Sequence, residues 1–531
     1  MRTGRPLIAA AALAAFTAAA AYTFGPGAGA AKPSRGEADE AMTTTEAVAA
    51  AASCPIDPRF PKRQLRGVWI ATVNNIDWPS RKGLAPDRQQ AEYVKLLDAA
   101  AKRRFNAVFV QVRPASDTFY RSSLEPWSKF LTGTAGRDPG WDPMPFLISE
   151  AHKRGLEFHA WFNPYRAAYD TNLGELPASH PARVHPDWVV KHEGRLYYNP
   201  GLPAVRDHVT EVIKDVVKRY DVDGVHFDDY FYPYPGGGKK FADGAAFARY
   251  GGEMKLADWR RANVNKLVAQ VDKAVHATRK RVKFGISPFG IWRNTSNDPA
   301  GSATSGMSAY DSIYADARHW IREGTVDYVM PQLYWPRGFR VADYNVLAPW
   351  WAKQVRGTGV HLYIGQALYR VGAKDTPAWT KPGELPGHLT LNRKYPEIRG
   401  DVYFSAKQLL SNPLRVMDRI VAGQYSRPAM LPLMKGLEGN APDRPGNVRV
   451  QGANLLWKSS QGARHYAVYR VVSGRADSCA VADARNLVAI VRDNGETRQS
   501  FALPAGARGT YLVSALDGLH NESPATKAAL P

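Results

Sequence analysis

The chain has 531 residues, of which 44% are hydrophobic, and it carries a formal net charge of +21 at pH 7. This hydrophobic content is enough for real cores and excludes a wholly disordered chain, while the length predicts two domains or one large barrel with an appendage. The positive charge favours anionic partners such as cell-wall polymers or lipid headgroups. No basic helix or nucleic-acid motif accompanies it, so we expect no nucleic-acid partner.

The first thirty residues have the three parts of a secretory signal peptide. Two arginines precede an apolar run at 7–22, and residues 28–30 (A-G-A) resemble a cleavage site. The apolar run is short and Ala-rich for a membrane span, although an uncleaved anchor is the alternative. We expect cleavage near Ala31, a flexible leader over 31–63, and a secreted, cell-wall-associated protein with no stable membrane span.

Two cysteines, Cys54 and Cys479, are the only ones in the chain. They could join the leader to the C-terminal part as a disulfide, or both could be free thiols, and the sequence does not decide between the two. No Cys/His spacing typical of a metal site is present, so we predict no metal and no cofactor. The sequence predicts no particular oligomeric state.

Short apolar runs alternate with helical stretches from Leu65 to about Ile420, which predicts parallel strands joined by crossover helices. Eight such units closing on themselves form a (β/α)8 TIM barrel, placed here over 64–430. An open doubly wound sheet is the alternative, but no G-x-G-x-x-G motif follows the first strand. The predicted strands are 65–73, 107–113, 157–165, 224–230, 283–290, 328–335, 360–369 and 400–406. Helices are expected between them, for example at 87–104, 203–219, 255–278, 311–323 and 405–421.

Two long connections, 166–202 and 231–254, follow the third and fourth predicted strands. Connections of this length usually build a binding cleft or a lid.

The pattern changes after Pro428. Residues 440–531 contain short alternating strands separated by turn residues, which predicts an antiparallel β-sandwich. The run resembles a fibronectin type III module in Leu456-Trp457, in Y-A-V-Y-R at 466–470 and in Y-L-V-S-A-L-D at 511–517. The resemblance implies a small module that positions or spaces the barrel.

Polar and aromatic residues end most of the predicted barrel strands. Active sites of such barrels lie at the C-terminal ends of the strands, and amides, acids and planar rings together suit a sugar cleft. The predicted substrate-binding residues are Asn74, Gln111, Arg113, Trp161, Asn163, Tyr165, His226, Tyr230, Gln332, Tyr334 and Trp335.

The strongest signal lies in the fourth strand, D-G-V-H-F-D-D-Y at 223–230. Alternation places His226, Asp228 and Tyr230 on the inward face, and turns Asp229 outward unless the strand has already ended. An inward carboxylate is costly to desolvate unless it is paired or used, so Asp228 and Asp229 are the predicted catalytic residues. The alternative for Asp228 is a structural role, bonded to backbone N–H groups or to Arg113. His226 either tunes Asp228 or is an ordinary core histidine.

As a set, the strand-end motifs resemble the glycosyl hydrolase-like 10 family of bacterial secreted proteins. The resemblance spans roughly 64–400 and implies a barrel glycosidase, with peptidoglycan glycan strands as the substrate class. The motifs that carry it are R-G-V-W-I-A (66–71), Q-V-R-P (111–114), W-F-N-P-Y (161–165), D-G-V-H-F-D-D-Y (223–230), S-P-F-G (287–290) and M-P-Q-L-Y-W (330–335).

A fainter resemblance to family 18 chitinases covers the fourth strand only. Asp223 and Asp228 match two acids of that family's motif, whereas His226 and Tyr230 replace the other two. The replaced terminal acid is the family's proton donor, so its mechanism does not carry over whole.

Glycoside hydrolysis normally needs two carboxylates, about 5–5.5 Å apart for retention or about 6.5–9.5 Å apart for inversion. The sixth strand ends in Gln332 and supplies none. The partner of Asp228 therefore stays open among Asp229, Asp77, Asp117 and a 2-acetamido group of the substrate. Arg113 either pairs with Asp228 or meets an anionic sugar substituent.

The predicted function is a secreted glycoside hydrolase that cleaves a cell-wall polysaccharide, peptidoglycan glycan strands, by carboxylate acid/base catalysis. A non-catalytic carbohydrate-binding barrel and a cell-surface scaffold are the alternatives. A zinc enzyme using His159, His226 and Asp228 is a more distant third.

Overall fold

The computed structural model describes Cys54, residues 56–437 and residues 439–529. The predicted signal peptide and most of the predicted leader lie outside the described residues. Barrel and C-terminal sheets belong to one compact unit. No helix among the described residues has the length and apolar character that crossing a membrane requires.

Eight parallel strands close into a barrel, which confirms the predicted fold class and all eight predicted strands. Their order around the barrel is β1-β2-β3-β7-β8-β9-β10-β11, with β11 returning to β1. The strands of this region are β1 (Leu65–Ile70), β2 (Ala107–Arg113), β3 (Glu157–Phe162), β4 (Arg166–Ala168), β5 (Val189–His192), β6 (Arg195–Tyr198), β7 (Gly224–Phe227), β8 (Lys283–Ile286), β9 (Tyr328–Val329), β10 (His361–Gln366) and β11 (Ile398–Tyr403).

Helices surround the barrel, and two of the predicted ones are interrupted. The stretch predicted at 405–421 breaks at Pro413, which has no N–H to donate, and the stretch at 311–323 breaks between Ser312 and Ala317. The helices are α1 (Pro86–Lys102), α2 (Lys129–Thr132), α3 (Pro143–Lys153), α4 (Pro181–Val184), α5 (Pro203–Arg219), α6 (Gly244–Tyr250), α7 (Leu256–Thr278), α8 (Ala309–Ser312), α9 (Ala317–Glu323), α10 (Tyr344–Val355), α11 (Glu384–Asn392), α12 (Lys407–Ser411) and α13 (Val416–Ala422).

The second strand shows how the barrel divides its core. Val108, Val110 and Val112 pack outward against the helices, while Ala107 and Phe109 fill the barrel interior. Alternation along a strand buried on both faces produces this division. Every second residue of a strand faces the barrel interior. This alternation continues to the residues that end each strand, at the C-terminal mouth of the barrel.

The long connection after β3 folds into a small sheet of its own. Its strands β4, β6 and β5 are antiparallel and lie in that order, and three residues separate the end of β3 from the start of β4. The connection therefore places structured side chains beside the barrel mouth.

The C-terminal region consists of two antiparallel sheets, as the sequence predicts. One sheet has the order β12-β13-β16 and the other β15-β14-β17-β18. This agrees with a small β-sandwich, while its fibronectin type III character is only loosely supported. The strands are β12 (Gly446–Gln451), β13 (Asn454–Lys458), β14 (His465–Val471), β15 (Leu487–Arg492), β16 (Arg498–Ala502), β17 (Thr510–Leu516) and β18 (Thr526–Ala529), with helix α14 (Ser478–Ala482) between β14 and β15.

The sandwich contacts the end of the barrel opposite the mouth. Nδ1 of the buried His520 accepts the backbone N–H of Leu431 at 3.0 Å, and Arg492 donates to the carbonyl of His152 at 2.7 Å. Leu519 packs against the cluster that fills the barrel interior. The module is thus built into the N-terminal end of the barrel and is not an independent appendage.

Cys54 and Cys479 form a disulfide with a Cα–Cα distance of 5.2 Å. Of the two possibilities that the sequence leaves open, the bridge is therefore confirmed. It connects the segment before β1 to α14 of the sandwich, 425 residues further along the chain.

Candidate active site

Two neighbouring carboxylates, Asp228 and Asp229, lie at the barrel mouth directly after β7 ends at Phe227. Because the strand stops there, alternation no longer forces Asp229 outward. Asp228 turns toward the end of β3, and Asp229 turns toward the residues that follow β9. Both side chains are buried.

Asp228 accepts three hydrogen bonds. Its Oδ2 accepts from Trp161 Nε1 at 3.0 Å and from Asn163 Nδ2 at 3.4 Å, and its Oδ1 accepts the backbone N–H of Tyr230 at 3.1 Å. Burial, and then the negative charge of Asp229, raise the pKa of Asp228 to about 7. A carboxyl that is half protonated near neutral pH suits a general acid.

Asp229 is held from the opposite side. Its Oδ1 accepts from Gln332 Nε2 at 3.0 Å, and its Oδ2 accepts from the hydroxyl of Tyr234. Burial raises the pKa of Asp229 above its ordinary value, while the two donors oppose that rise. Because the charge of Asp229 favours the protonated form of Asp228, the two buried carboxyls titrate as a coupled pair.

His226 lies below the carboxylates in the barrel interior. Its Nε2 accepts from Trp69 Nε1 at 3.1 Å, so its proton sits on Nδ1, which lies 3.2 Å from the hydroxyl of Tyr328. Burial lowers the pKa of His226 well below its ordinary value. The ring forms no hydrogen bond with Asp228, and this environment is that of a neutral core histidine.

The possible pairing of Arg113 with Asp228 is wrong. The fully buried guanidinium instead forms two hydrogen bonds with Glu125, of 2.7 Å and 2.5 Å. It also donates to the carbonyl of Asn163, so the Arg113–Glu125 ion pair anchors the end of β3. With no exposed surface, Arg113 has no face to offer a substrate in this structure.

Gln111 also holds the scaffold together. Its Oε1 accepts the backbone N–H groups of Thr72 and Val73 at 3.1 and 2.9 Å, which fixes the turn after β1. Asn74, in that turn, is exposed and has a left-handed backbone with φ of 50°. Tyr165 is fully buried in the main core, and its hydroxyl has no hydrogen-bond partner among the described residues.

Partly exposed aromatic rings lie at the ends of the fifth and sixth barrel strands. Trp335 packs edge-on against Phe289 with ring centroids 5.4 Å apart, and Tyr334 packs against Tyr369 at 5.7 Å. Tyr334 also has its pKa raised by burial and, in part, by the nearby Asp229. Rings of this kind can pack on the apolar faces of sugars.

The two other acids considered as partners do not bond the pair. Both oxygens of Asp77 are in use, accepting from Ala71, Ser405 and Lys407 at 2.7–2.9 Å, so this residue ties β1 to the end of β11. Asp117, whose pKa burial raises to about 6, keeps one buried oxygen without a partner among the described residues. Neither forms a hydrogen bond with Asp228 or Asp229.

Two residues outside the predicted binding set complete the site. Tyr234 reaches Asp229 from the loop after β7, and Arg166 follows W-F-N-P-Y directly and lies beside both carboxylates. In the sequence, the spacing of tyrosines at 230, 232 and 234 could have indicated Tyr234. The position of Arg166 at the end of a predicted strand could have indicated Arg166.

Within the described part of the chain, no group of three or more His, Cys, Asp or Glu side chains is arranged to hold a metal ion. His159 bonds Glu157 and Tyr328 in the barrel interior, with neither ring nitrogen bonded to His226 or Asp228.

The model of the family described as Glycosyl hydrolase-like 10 matches residues 64–381. Glycosyl hydrolase YngK of Bacillus subtilis (strain 168) is 46% identical over 482 residues, which are 88% of this chain and 93% of that protein. Glycosyl hydrolase DigH of Escherichia coli (strain K12) is 41% identical over 372 residues, 66% of this chain and 84% of that protein.

Among solved structures, the PgaB (BpsB) glycoside hydrolase domain from Bordetella bronchiseptica is similar with a TM-score of 0.44 and 14% identity. The match covers 68% of this chain and 98% of that one.

Proposed function

Because the chain belongs to the glycosyl hydrolase-like 10 family, we propose that it is a secreted glycoside hydrolase that cleaves peptidoglycan glycan strands. The observation that carries the proposal is the buried pair Asp228 and Asp229 at the barrel mouth, with the pKa of Asp228 near 7. Aromatic rings beside the pair supply surfaces for sugars.

In the proposed reaction Asp228 is the general acid. It gives its proton to the oxygen of the departing sugar, which takes the electron pair of the broken C1–O bond. The carbonyl oxygen of the substrate's own 2-acetamido group attacks C1, and ionised Asp229 accepts a hydrogen bond from the acetamido N–H. Water then adds to C1 and breaks its bond to the acetamido oxygen, returning a proton to Asp228.

Catalysis assisted by the substrate's acetamido group fits the carboxylates that are present at the barrel mouth. The residues after β9 contribute Gln332 in place of a carboxylate, and Asp77 has both oxygens occupied. Asp228 and Asp229 both follow the end of the same strand, whereas a protein nucleophile or base must lie across the scissile bond from the acid. An acetamido group of the substrate needs no such second carboxylate.

Export is part of the proposal. The disulfide between Cys54 and Cys479 supports it, because such bonds persist in oxidising compartments outside the cytoplasm. The positive net charge of the chain, only two units of which come from the predicted signal peptide, would draw the protein to anionic wall polymers. N-terminal sequencing of the mature protein should give a start near Ala31, whereas an intact Met1 on soluble cytosolic protein would contradict export.

Product analysis by mass spectrometry, after incubation with peptide-free glycan strands, tests the activity. We expect soluble oligosaccharides with the anomeric configuration retained, and no cleavage of matched glucans that lack 2-acetamido groups. Tight binding without any release of sugar would favour a non-catalytic carbohydrate-binding barrel. Cleavage of both polymers alike would contradict substrate assistance but not hydrolysis.

A further inference from the structure

Arg166, the first residue of β4, lies in a cage of three tyrosine rings at the barrel mouth. Its guanidinium carbon is 4.8 Å from the ring centroid of Tyr169, 5.4 Å from that of Tyr197 and 4.9 Å from that of Tyr230. Only 5% of the residue is exposed. Cation–π contact with the three rings holds the positive charge in place.

The guanidinium donates no hydrogen bond and forms no ion pair within the described residues, and its Nε is fully buried without a partner. The other buried arginines there are satisfied. Arg113 and Arg260 each bond a carboxylate through two nitrogens, and Arg66 and Arg206 donate to carbonyl or amide oxygens.

An unsatisfied buried cation is costly, and ring faces offset only part of that cost because they leave the directed N–H donors unused. A guanidinium presents five donors in a planar fork that matches a carboxylate. The unused donors of Arg166 therefore indicate a partner that arrives with a ligand.

The cage is next to the candidate catalytic pair. The positive charge of Arg166 is among the influences that lower the pKa of both Asp228 and Asp229, although neither carboxylate pairs with it directly. A group bound to Arg166 would belong to a sugar at or beside the cleaved bond.

We propose that Arg166 is a specificity-determining residue that binds a carboxylate carried by the glycan. The inference builds on the proposed function, because it takes the occupant of the mouth to be a sugar chain. Two kinds of sugar carry such a group, one with an ether-linked lactyl side chain and one with a ring uronate. The tyrosines keep the fork oriented and exclude water from the contact.

The test compares Arg166→Gln and Arg166→Lys with the wild type on matched substrates. Lactyl-bearing glycan strands, and hexuronate oligosaccharides that also contain 2-acetamido sugars, are each used intact and after reduction of the carboxyl to an alcohol. For at least one kind, Arg166→Gln should lower kcat/KM on the acid form by about 10- to 100-fold, with changes below about 3-fold on the reduced form. Arg166→Lys should restore only part of the preference, since an ammonium lacks the fork.

Arg183→Gln, which removes an exposed positive charge from the same connection, is the matched control and should leave the preference intact. Thermal melting of each variant checks folding. Equal losses on the acid and reduced forms would overturn the proposal and assign Arg166 to positioning Asp228 and Asp229.

A binding measurement separates this inference from the proposed hydrolysis. Asp228→Asn, with and without Arg166→Gln, is titrated with the acid and reduced strands. A preference for the acid strands that depends on Arg166 would support the inference even if the wild type proved inactive. Absence of any such preference would overturn it even if the wild type cleaved glycan.

Discussion

At the scale of single residues, Asp228 and Asp229 are chain neighbours with different surroundings. Asp228 accepts from an indole, an amide and a backbone N–H, and Asp229 from an amide and a phenol. Burial favours the protonated form of each, while the donors favour the ionised form. Asp228 can therefore hold a proton near neutral pH, which acid catalysis requires.

Asp228→Asn should reduce hydrolysis by about 10²–10⁴-fold, because the nearly isosteric amide cannot donate an acid proton. The same substitution should raise stability at neutral and higher pH. The folded pKa of about 7 lies above the ordinary 3.8, so the wild type loses stability as pH rises between those values and the variant does not.

At pH 8 we therefore expect Asp228→Asn to melt at or above the wild-type temperature, as differential scanning calorimetry would show. Asp229→Asn is the internal comparison and should also be severely impaired. A lowered melting temperature with activity lost only in proportion would identify Asp228 as a structural residue. Full activity in both variants would contradict the mechanism.

The pH dependence of kcat/KM should reveal the same carboxyl. Activity should fall as pH rises through about 7, when Asp228 loses its proton. Trp161→Phe removes an N–H donor that favours the ionised form, so the basic limb should move to higher pH by less than about one unit. Trp350→Phe, a partly buried indole bonded to the carbonyl of Ala300, is the control and should leave the profile in place.

At the scale of elements, the barrel strands were predictable because their alternation fills two cores at once. Strand ends were not predictable, since they depend on where neighbouring strands stop pairing. β7 ends at Phe227 and not at the predicted Tyr230, which is why Asp229 faces Gln332. Ion-pair partners distant in the chain were not predictable either. Nothing in the sequence around Arg113 indicates that it pairs with Glu125, twelve residues later.

The Arg113–Glu125 pair predicts a stability effect. Both side chains are fully buried, and although burial opposes it, Arg113 keeps the pKa of Glu125 well below its usual range. Glu125→Gln should destabilise the protein by about 3–5 kcal/mol, because it leaves Arg113 as an uncompensated buried charge. Chemical unfolding would measure the change in the free energy of unfolding.

Glu211→Gln is the matched control, since Glu211 pairs with Lys214 on an exposed helix face. That change should cost less than about 1 kcal/mol. Similar costs for the two variants would show that the buried pair does not anchor β3.

At the scale of the whole molecule, the sandwich completes the N-terminal end of the barrel. Burial and the neighbouring His465 lower the pKa of His520 well below its ordinary 6.5, and its neutral Nδ1 accepts the N–H of Leu431. His520→Ala should therefore destabilise by about 1–3 kcal/mol, leaving that N–H unsatisfied. Calorimetry should show the barrel and sandwich unfolding in one transition.

The sign of the pH effect adds a check. A histidine whose folded pKa is lowered contributes stability that is present above 6.5 and lost as pH falls below it. The difference in free energy of unfolding between the wild type and His520→Ala should therefore become smaller at acidic pH. Val472→Ala, on the exposed sandwich surface, is the control and should change little at any pH. Separate transitions for barrel and sandwich would contradict the coupling.

The bridge between Cys54 and Cys479 makes most of the described chain a covalent ring. A protease that cuts once in any loop between these two residues, 425 positions apart, opens the ring without releasing a fragment. On a denaturing gel, singly nicked protein should therefore run as one species until a reductant separates the two pieces. After a first cut, the barrel and the sandwich would therefore stay covalently joined through the disulfide.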